Sequence, residues 1–383
     1  MQVKQAYELV NDSTKEKLGE IAVLQEDLSN VVEFGDTVEN VMGYDNFTKS
    51  LIDRIGKVVF VNRPYAGSVP SVLMDAWEFG SVLQKVSSEM PEATENESWE
   101  LVDGQVYEQQ TFYKPTVEAK FYNSKVVFEI DRSISELQVK EAFTSAEQLT
   151  AFVSMLFNDV EKSLTIKVDG LIQSTINAAM AAVINSGTAG VNKVNLLALY
   201  NTDHPTATIA TAAAAITNPE FLRYASLKMK LTADRLTKIS RLFNLGGKAR
   251  FTSKEYLHTV MLSEFKEGAG TYLYDAAGQF NTDNIRLLDA ESVPYWQGSG
   301  TDYSFSSTSK IDVKLKDGTE VEQGGILAVM FDRAALGVCN QDRRVRTATN
   351  GKGEFINYFY KQDASYFVDT NENIVVFYVE ATD

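Results

Sequence analysis

One stretch of about forty residues constrains the fold of this chain more than any other. From Thr144 to Ser186 apolar side chains return every three or four positions: Leu149, Phe152 and Val153, Leu156 and Phe157, Val160, Leu164, Val168, Leu171 and Ile172, Ile176, Met180, Val183 and Ile184. That spacing keeps one stripe on one face of a 3.6-residue period, so a single helix is predicted over Thr144–Ser186. Thr144 followed by Glu147 has the form of a capping box, and Gly187 supplies a stop. At 1.5 Å per residue such a helix is about 60 Å long, which suits a flat, extended subunit better than a compact enzyme core. Gly170 is the position within it where a bend is expected.

The segment before this helix reads differently. Between residues 63 and 125, Pro64, Gly67, Pro70, Gly80, Pro91, Gly104 and Pro115 break every candidate helix. Val86–Tyr113 carries seven acids (Glu89, Glu92, Glu95, Glu97, Glu100, Asp103, Glu108) and no lysine or arginine. Its flanks alternate, with Val72, Met74 and Ala76 on one side and Val117, Ala119 and Phe121 on the other. A long β-hairpin with an acidic, mobile tip region is predicted. The competing reading is an ordinary disordered surface loop. Against it stand Trp77, Phe79, Trp99, Tyr107, Phe112, Tyr113, Phe121 and Tyr122, because disordered segments are poor in aromatics. A hairpin alone cannot bury them; a neighbouring subunit can.

Other elements follow from pattern and punctuation. Gln2–Gln25 has helical spacing and either folds back on its own core or lies as an arm on a neighbour. Asp45–Gly56 reads as a short amphipathic helix on Phe47, Leu51, Ile52 and Ile55, followed by a strand at Val58–Val61. Lys125–Ile130 is a predicted strand and Ser133–Lys140 a short helix or turn. Thr206–Thr217 has low complexity and reads as a loop. Pro219, at the first helical position after Asn218, opens a helix predicted to run to about Asn244 and to stop at Gly246-Gly247. Phe251–Leu262 reads as a strand and then a helix opened by Ser253, with His258 inside it. Short strands are predicted at Ile285–Leu288 and Val293–Trp296, and a polar loop at Ser299–Ser309. Gly325–Phe331 is continuously apolar, as in a strand covered on both faces. Asp332–Leu336 is a turn, and Glu354–Tyr360, Ala364–Val368 and Ile374–Val379 are closing strands. The fold class is α+β with segregated elements.

Composition narrows the function. The chain has 383 residues, 44% of them hydrophobic, and a formal charge of −16. No apolar run approaches a membrane span, and Met1–Val10 lacks the form of a secretory signal. A strongly acidic chain grips phosphates poorly over a broad surface. The single cysteine, Cys339, excludes an intrachain disulfide and reads as structural. His204 and His258 belong to no ligand pattern, so no metal and no cofactor is expected. Gly268-Ala-Gly270 lacks the third glycine of a dinucleotide loop, and neither a Walker loop nor a Gly-x-Ser-x-Gly elbow occurs. No carboxylate pair stands out for acid–base work, and no catalytic residue is assigned. The basic cluster Arg343, Arg344 and Arg346 reads as ion-pair partners within or between subunits, with nucleic-acid contact the weaker alternative. Arginine's planar fork matches carboxylates, and the acidic hairpin offers them.

The order of elements resembles the Hong Kong 97-type major capsid protein of tailed phages. Two local stretches resemble phi-29-like podovirus capsid proteins: Asn46–Val59 (NFTKSLIDRIGKVV), and Arg344–Thr347 with Phe355–Tyr360 (FINYFY) and Ile374–Phe377. The resemblance implies an N-terminal arm and lead-in over residues 1–62 and an extended β-hairpin loop over 63–125. It implies a peripheral domain over 126–190 and 219–267 containing a spine helix at 144–186, and an axial domain over 191–218 and 268–322. Closing strands of the peripheral domain would occupy 323–383. Some relatives carry a further immunoglobulin-like domain, and none is expected after Val379. The isopeptide cross-link of the founding member is not carried over. The implied function is a non-enzymatic shell subunit that forms pentamers and hexamers of an icosahedral or prolate capsid around double-stranded DNA. Scaffolding protein and a portal would be its assembly partners, with assembly in the host cytoplasm and final location in the virion. Intersubunit contacts are expected at Trp77, Phe79, Trp99, Tyr107, Phe112, Tyr113, Arg343, Arg344 and Arg346. The alternatives are an encapsulin-like nanocompartment shell and, further off, an acidic hydrolase.

Overall fold

A computed structural model describes residues 7–8, 10–14, 23–25, 27–43, 46–47, 50–51, 69–74, 83–91, 93, 95–96, 100–107, 109–272, 290–296 and 310–381. The chain divides into two compact units. The first holds Met1–Pro70, Lys125–Ile172 and Cys339–Ser365; the second holds Ser71–Ser124, Gln173–Val338 and Tyr366–Asp383. The strands predicted at Val58–Val61 and Ile285–Leu288 and the loop at Ser299–Ser309 lie outside the described residues.

In the first unit, strand Lys125–Ser135 pairs antiparallel with strand Phe355–Val368, with Ile134 opposite Ile356 and Ile130 opposite Tyr360. Strand Leu336–Asn350 lies on the other side of Phe355–Val368. Helix Val31–Val41 buries Val31, Phe34, Gly35 and Val38, spacings of three and four that place them on one face. The Phe143 ring sits 6.3 Å from that of Phe34 and 5.2 Å from that of Phe47. Gly35 makes this approach possible, since a Cβ there would lie 2.7 Å from Phe143 Cβ. Burying each such ring contributes about 2 kcal/mol. Asn11 ties down the N-terminal segment by donating to Leu24 O and accepting from Leu24 N. Val10, Leu24, Phe47 and Leu51 all pack in this unit's own core.

In the second unit a five-stranded sheet runs in the order Lys193–Asn195, Ile374–Tyr378, Ile326–Asp332, Leu257–Leu262, Glu291–Val293. The central strand Ile326–Asp332 is antiparallel to both neighbours and buried at every position, as its unbroken apolar sequence requires. Gly325 precedes it at φ +66°, and a Cβ there would lie 2.2 Å from Val379 O. The later turns of the long helix bury Ile176, Ala179, Met180 and Val183. Helices Leu196–Asp203, Pro219–Leu236 and Ser263–Tyr272 complete the unit's larger elements. The Tyr200 ring stacks on His204 at 4.4 Å and meets Phe221 and Tyr224 edge-on.

The long helix spans Ala146–Ser186, within two residues of the prediction. Its cap is Ser145, whose hydroxyl accepts from Gln148 N, rather than Thr144. Several boundaries differ from expectation. The strand predicted at Lys125–Ile130 continues to Ser135, and the following helix is Glu136–Ala142, opened by a capping box between Ser135 and Gln138. Thr206–Thr217 is not all loop: Thr211 caps a short helix, Ala212–Ile216. The helix from Pro219 stops at Leu236, not near Asn244, because Thr252 N donates to Leu236 O and Ser240 bridges Arg250. Gly246-Gly247 therefore belongs to a later turn. Residues 257–262 form a strand and the helix begins only at Ser263, which places His258 on a strand. Burial holds the His258 imidazole below its usual value. The predicted strands Glu354–Tyr360 and Ala364–Val368 are one continuous strand.

Candidate functional site at the extended loop

A hairpin forms from two six-residue strands, Leu83–Ser88 and Val117–Tyr122, paired antiparallel with Leu83 opposite Tyr122 and Ser88 opposite Val117. Its first strand is not the predicted Val72–Ala76 flank, of which Leu73–Met74 pairs in another sheet. Alternation gives it two faces. Leu83, Lys85, Ser87, Glu118, Lys120 and Tyr122 are half-buried, while Gln84, Val86, Ser88, Val117, Ala119 and Phe121 face solvent.

The half-buried face is held by charge. Lys85 and Lys120 lie directly opposite one another, an arrangement that repels unless neutralised. Asp369 neutralises it, with a carboxylate oxygen 2.7 Å from Lys85 Nζ and the other 3.4 Å from Lys120 Nζ. Lys85 also donates to Glu372 at 2.9 Å and to the Ala334 carbonyl at 2.9 Å. The Asp369 side chain is only 4% exposed. Burial works to raise its carboxyl, but the Lys85 ammonium and the Asn371 N–H outweigh burial and hold it below its ordinary value. Burial and then the Asp369 charge push the Tyr122 phenol up, and its ring packs on Phe367 at 5.4 Å. Further along, Lys248 bridges Glu118 at 3.1 Å and Glu89 at 3.2 Å. A small cleft of about 120 Å³ opens there, lined by Ser87, Glu89, Thr116, Arg241, Lys248 and Arg250.

Beyond this anchor the chain leaves the body of the unit. Between Glu89 and Thr116 the described residues form no helix or strand and are exposed. One local turn organises part of it: Gln105 N donates to Val102 O, Gly104 takes φ +84°, and the Tyr107 hydroxyl accepts from Val102 N. Apolar side chains project from this segment, with Val106 87%, Phe112 83% and Tyr113 85% exposed. Of the residues expected to contact other subunits, Trp77, Phe79 and Trp99 lie outside the described residues. Tyr107, Phe112 and Tyr113 share the exposed segment, and Tyr107 is the most covered of the three.

The arginines sit on strand Leu336–Asn350 in the first unit. Arg344 Nη1 pairs with Asp363 at 2.7 Å within its own unit. Arg346 is exposed, and the Arg343 side chain lies outside the described ones. Sequence reasoning missed the anchor of Lys85, Lys120, Asp369 and Glu372. The available signal was the pair of lysines at inward positions of two alternating strands, flanking an acidic segment. The acids that answer them lie 249 to 287 residues further along the chain, where no local pattern points to them. Among the described residues, no group of three or more histidine, cysteine or carboxylate side chains is placed to hold a metal ion. No described helix is long and apolar enough to cross a membrane.

The chain is thus α+β in two units, with a charge-anchored hairpin carrying an exposed loop, and this fold has solved counterparts among phage capsid structures. It is similar to a solved capsid of Staphylococcus phage Andhra, with a TM-score of 0.51 at 12% identity over 83% of this chain and 86% of that one. It is also similar to a chain in the structure of the head fibre and inner core protein gp22 of native bacteriophage P68, with a TM-score of 0.50 at 11% identity over 84% and 86%. No curated protein sequence matches it. The chain belongs to the Phi29-like phage major capsid protein family, whose sequence model matches residues 10–378. It is a structural protein of the virion capsid that assembles with copies of itself into a shell. The nanocompartment alternative is not favoured by this family match.

Proposed function

We propose that the chain builds the pentamers and hexamers of a tailed-phage shell with the Hong Kong 97 architecture, enclosing double-stranded DNA without reading its sequence. In this reading residues 63–125 are the extended loop and 144–186 the spine helix. Residues 126–190 and 219–267 with 323–383 make the peripheral domain, 191–218 and 268–322 the axial domain, and 1–62 the arm and lead-in. Scaffolding and portal proteins are its partners during assembly in the host cytoplasm. No catalysis is assigned to it.

The observation that carries this reading is the exposed loop. Val106, Phe112 and Tyr113 stand in water in the single chain, while the hairpin beneath them is fixed by a buried carboxylate. Exposed apolar surface of this kind marks an interaction site. Covering it contributes about 25 cal/mol per Å², offset in part by the cost of ordering the loop. Trp77, Phe79, Trp99 and Tyr107 join this contact. Arg343, Arg344 and Arg346 supply the charged part of the contact, Arg344 beside its pair with Asp363. The test is electron microscopy of the purified protein expressed alone and with its phage's scaffolding protein. Closed, uniform shells are expected; a protein that stays monomeric under both conditions overturns the proposal.

A further inference from the structure

The chain's charge is unevenly placed. Although the whole carries −16, residues 219–251 contain eight lysines and arginines against two acids. Those residues form helix Pro219–Leu236 and the turn that follows it. Arg223, Leu227, Leu231, Arg235 and Lys238 fall on the exposed face, at spacings of three and four that make one stripe. The Ser240–Arg250 bridge then sets Ile239 beside Phe251, both exposed, with Arg241 and Leu242 exposed next in the chain. Among the described residues, Arg223, Lys230, Arg235, Lys238 and Arg241 make no ion pair, while Lys228 pairs with Asp203, Lys248 with Glu89 and Glu118, and Arg250 with Glu372. The result is a surface on which unpaired positive charges alternate with exposed leucine, isoleucine and phenylalanine.

The extended loop carries the complementary set. Val86–Tyr113 has seven acids and no base. Glu95, Glu100 and Asp103 are exposed among exposed Leu101, Val102, Val106 and Phe112. We propose that the basic, apolar-studded face of residues 223–251 is the receptor for the loop of a second copy of this chain. The proposal rests on the shell reading and deepens it by naming where the loop lands. Charge sets register and orientation, and burial of the alternating apolar side chains supplies the adhesion. A nucleic acid could use the unpaired cations but has no use for Leu227, Leu231, Ile239 and Leu242, so the second copy is favoured.

The test uses the native chain. Shells assembled from equal amounts of unlabelled and ¹⁵N-labelled protein are treated with a carbodiimide, which joins carboxylates to lysine amines in contact. Mixed-isotope cross-links between the loop acids Glu95, Glu100 or Asp103 and Lys230 or Lys238 are expected. In parallel, K238E with R241E should lower shell yield at least tenfold, and adding E100K with D103K to the same chain should restore it. The proposal is overturned if those cross-links are confined to one isotope, if the loop couples elsewhere, or if K238E with R241E leaves shells intact and merely empties them of DNA. In each of those outcomes the shells still form, so the shell reading stands; absence of any shell from the wild-type chain overturns both.

Discussion

Lys85 is the residue on which the loop's position turns. Its ammonium meets Asp369, Glu372 and the Ala334 carbonyl at once, and it lies opposite a second lysine that depends on the same Asp369. Lys85→Met removes the closest partner of a carboxylate that is almost wholly enclosed. The expected loss is about 2 kcal/mol, in the range for hydrogen bonds to charged groups, measured by urea unfolding of the unassembled subunit. The pH dependence has a definite sign. Asp369 is held below its ordinary 3.8 in the folded chain, so its contribution is present in full above that value. It is lost as pH falls through the lower folded value. Lys85→Met should therefore flatten the acid limb of the stability curve below pH 3.8, since the folded carboxyl is then held less far down and the folded and unfolded chains bind the proton over closer pH ranges. An acid limb identical to wild type would contradict the anchor.

At the scale of elements, helix Pro219–Leu236 shows both what a sequence states and what it leaves unstated. Its start is written locally: the Asn218 side chain accepts from Glu220 N at 2.9 Å and Phe221 N at 3.2 Å, and Pro219 takes the first helical position. Asn218→Ala should cost about 1 kcal/mol, read as a lower thermal midpoint of the subunit, with Asn218→Asp close to wild type. Its end is not local. Ile239 and Leu242 continue the apolar spacing and invite a longer helix, yet both are exposed. The chain leaves the helix because Leu236 O is taken by Thr252 N, a partner sixteen residues further on. The long helix was legible because its stripe persists over eleven turns, too many for coincidence. His258 was misplaced because Leu257–Leu262 is short and apolar, a pattern a strand shares with a buried helix. Helix Val31–Val41 escaped notice because Gly35 at its centre resembles a breaker, and only the Phe143 ring against it explains the glycine. The loop's identity as a site was legible through composition, since acids and aromatics without bases are rare together. Its anchor and its proposed receptor depend on residues distant in sequence.

For the whole molecule, the question is whether the loop holds subunits together or simply keeps an acidic protein dispersed. Each subunit carries −16, and like charges repel one another over a Debye length of about 8 Å at physiological salt. Five of the acids (Glu92, Glu95, Glu97, Glu100 and Asp103) lie in Pro91–Gly104, which contains no base, so deleting that segment takes the chain to −11. If repulsion alone governed assembly, the deletion would promote shells. If the loop bridges subunits, the deletion removes exposed Leu101 and Val102 and, with Val102, the turn that Tyr107 fastens. It then abolishes shells despite the lower charge. The second outcome is expected, because the apolar contact the loop would make is lost outright, whereas five salt-screened charges out of the total change the repulsion between subunits only modestly. The anchor at Lys85, Lys120 and Asp369 lies outside the deleted segment, so the subunit should stay folded. Size-exclusion chromatography with light scattering separates the cases: a folded subunit that no longer forms shells at any salt between about 10 mM and 500 mM supports the bridge. Shells of normal size at −11 would refute it.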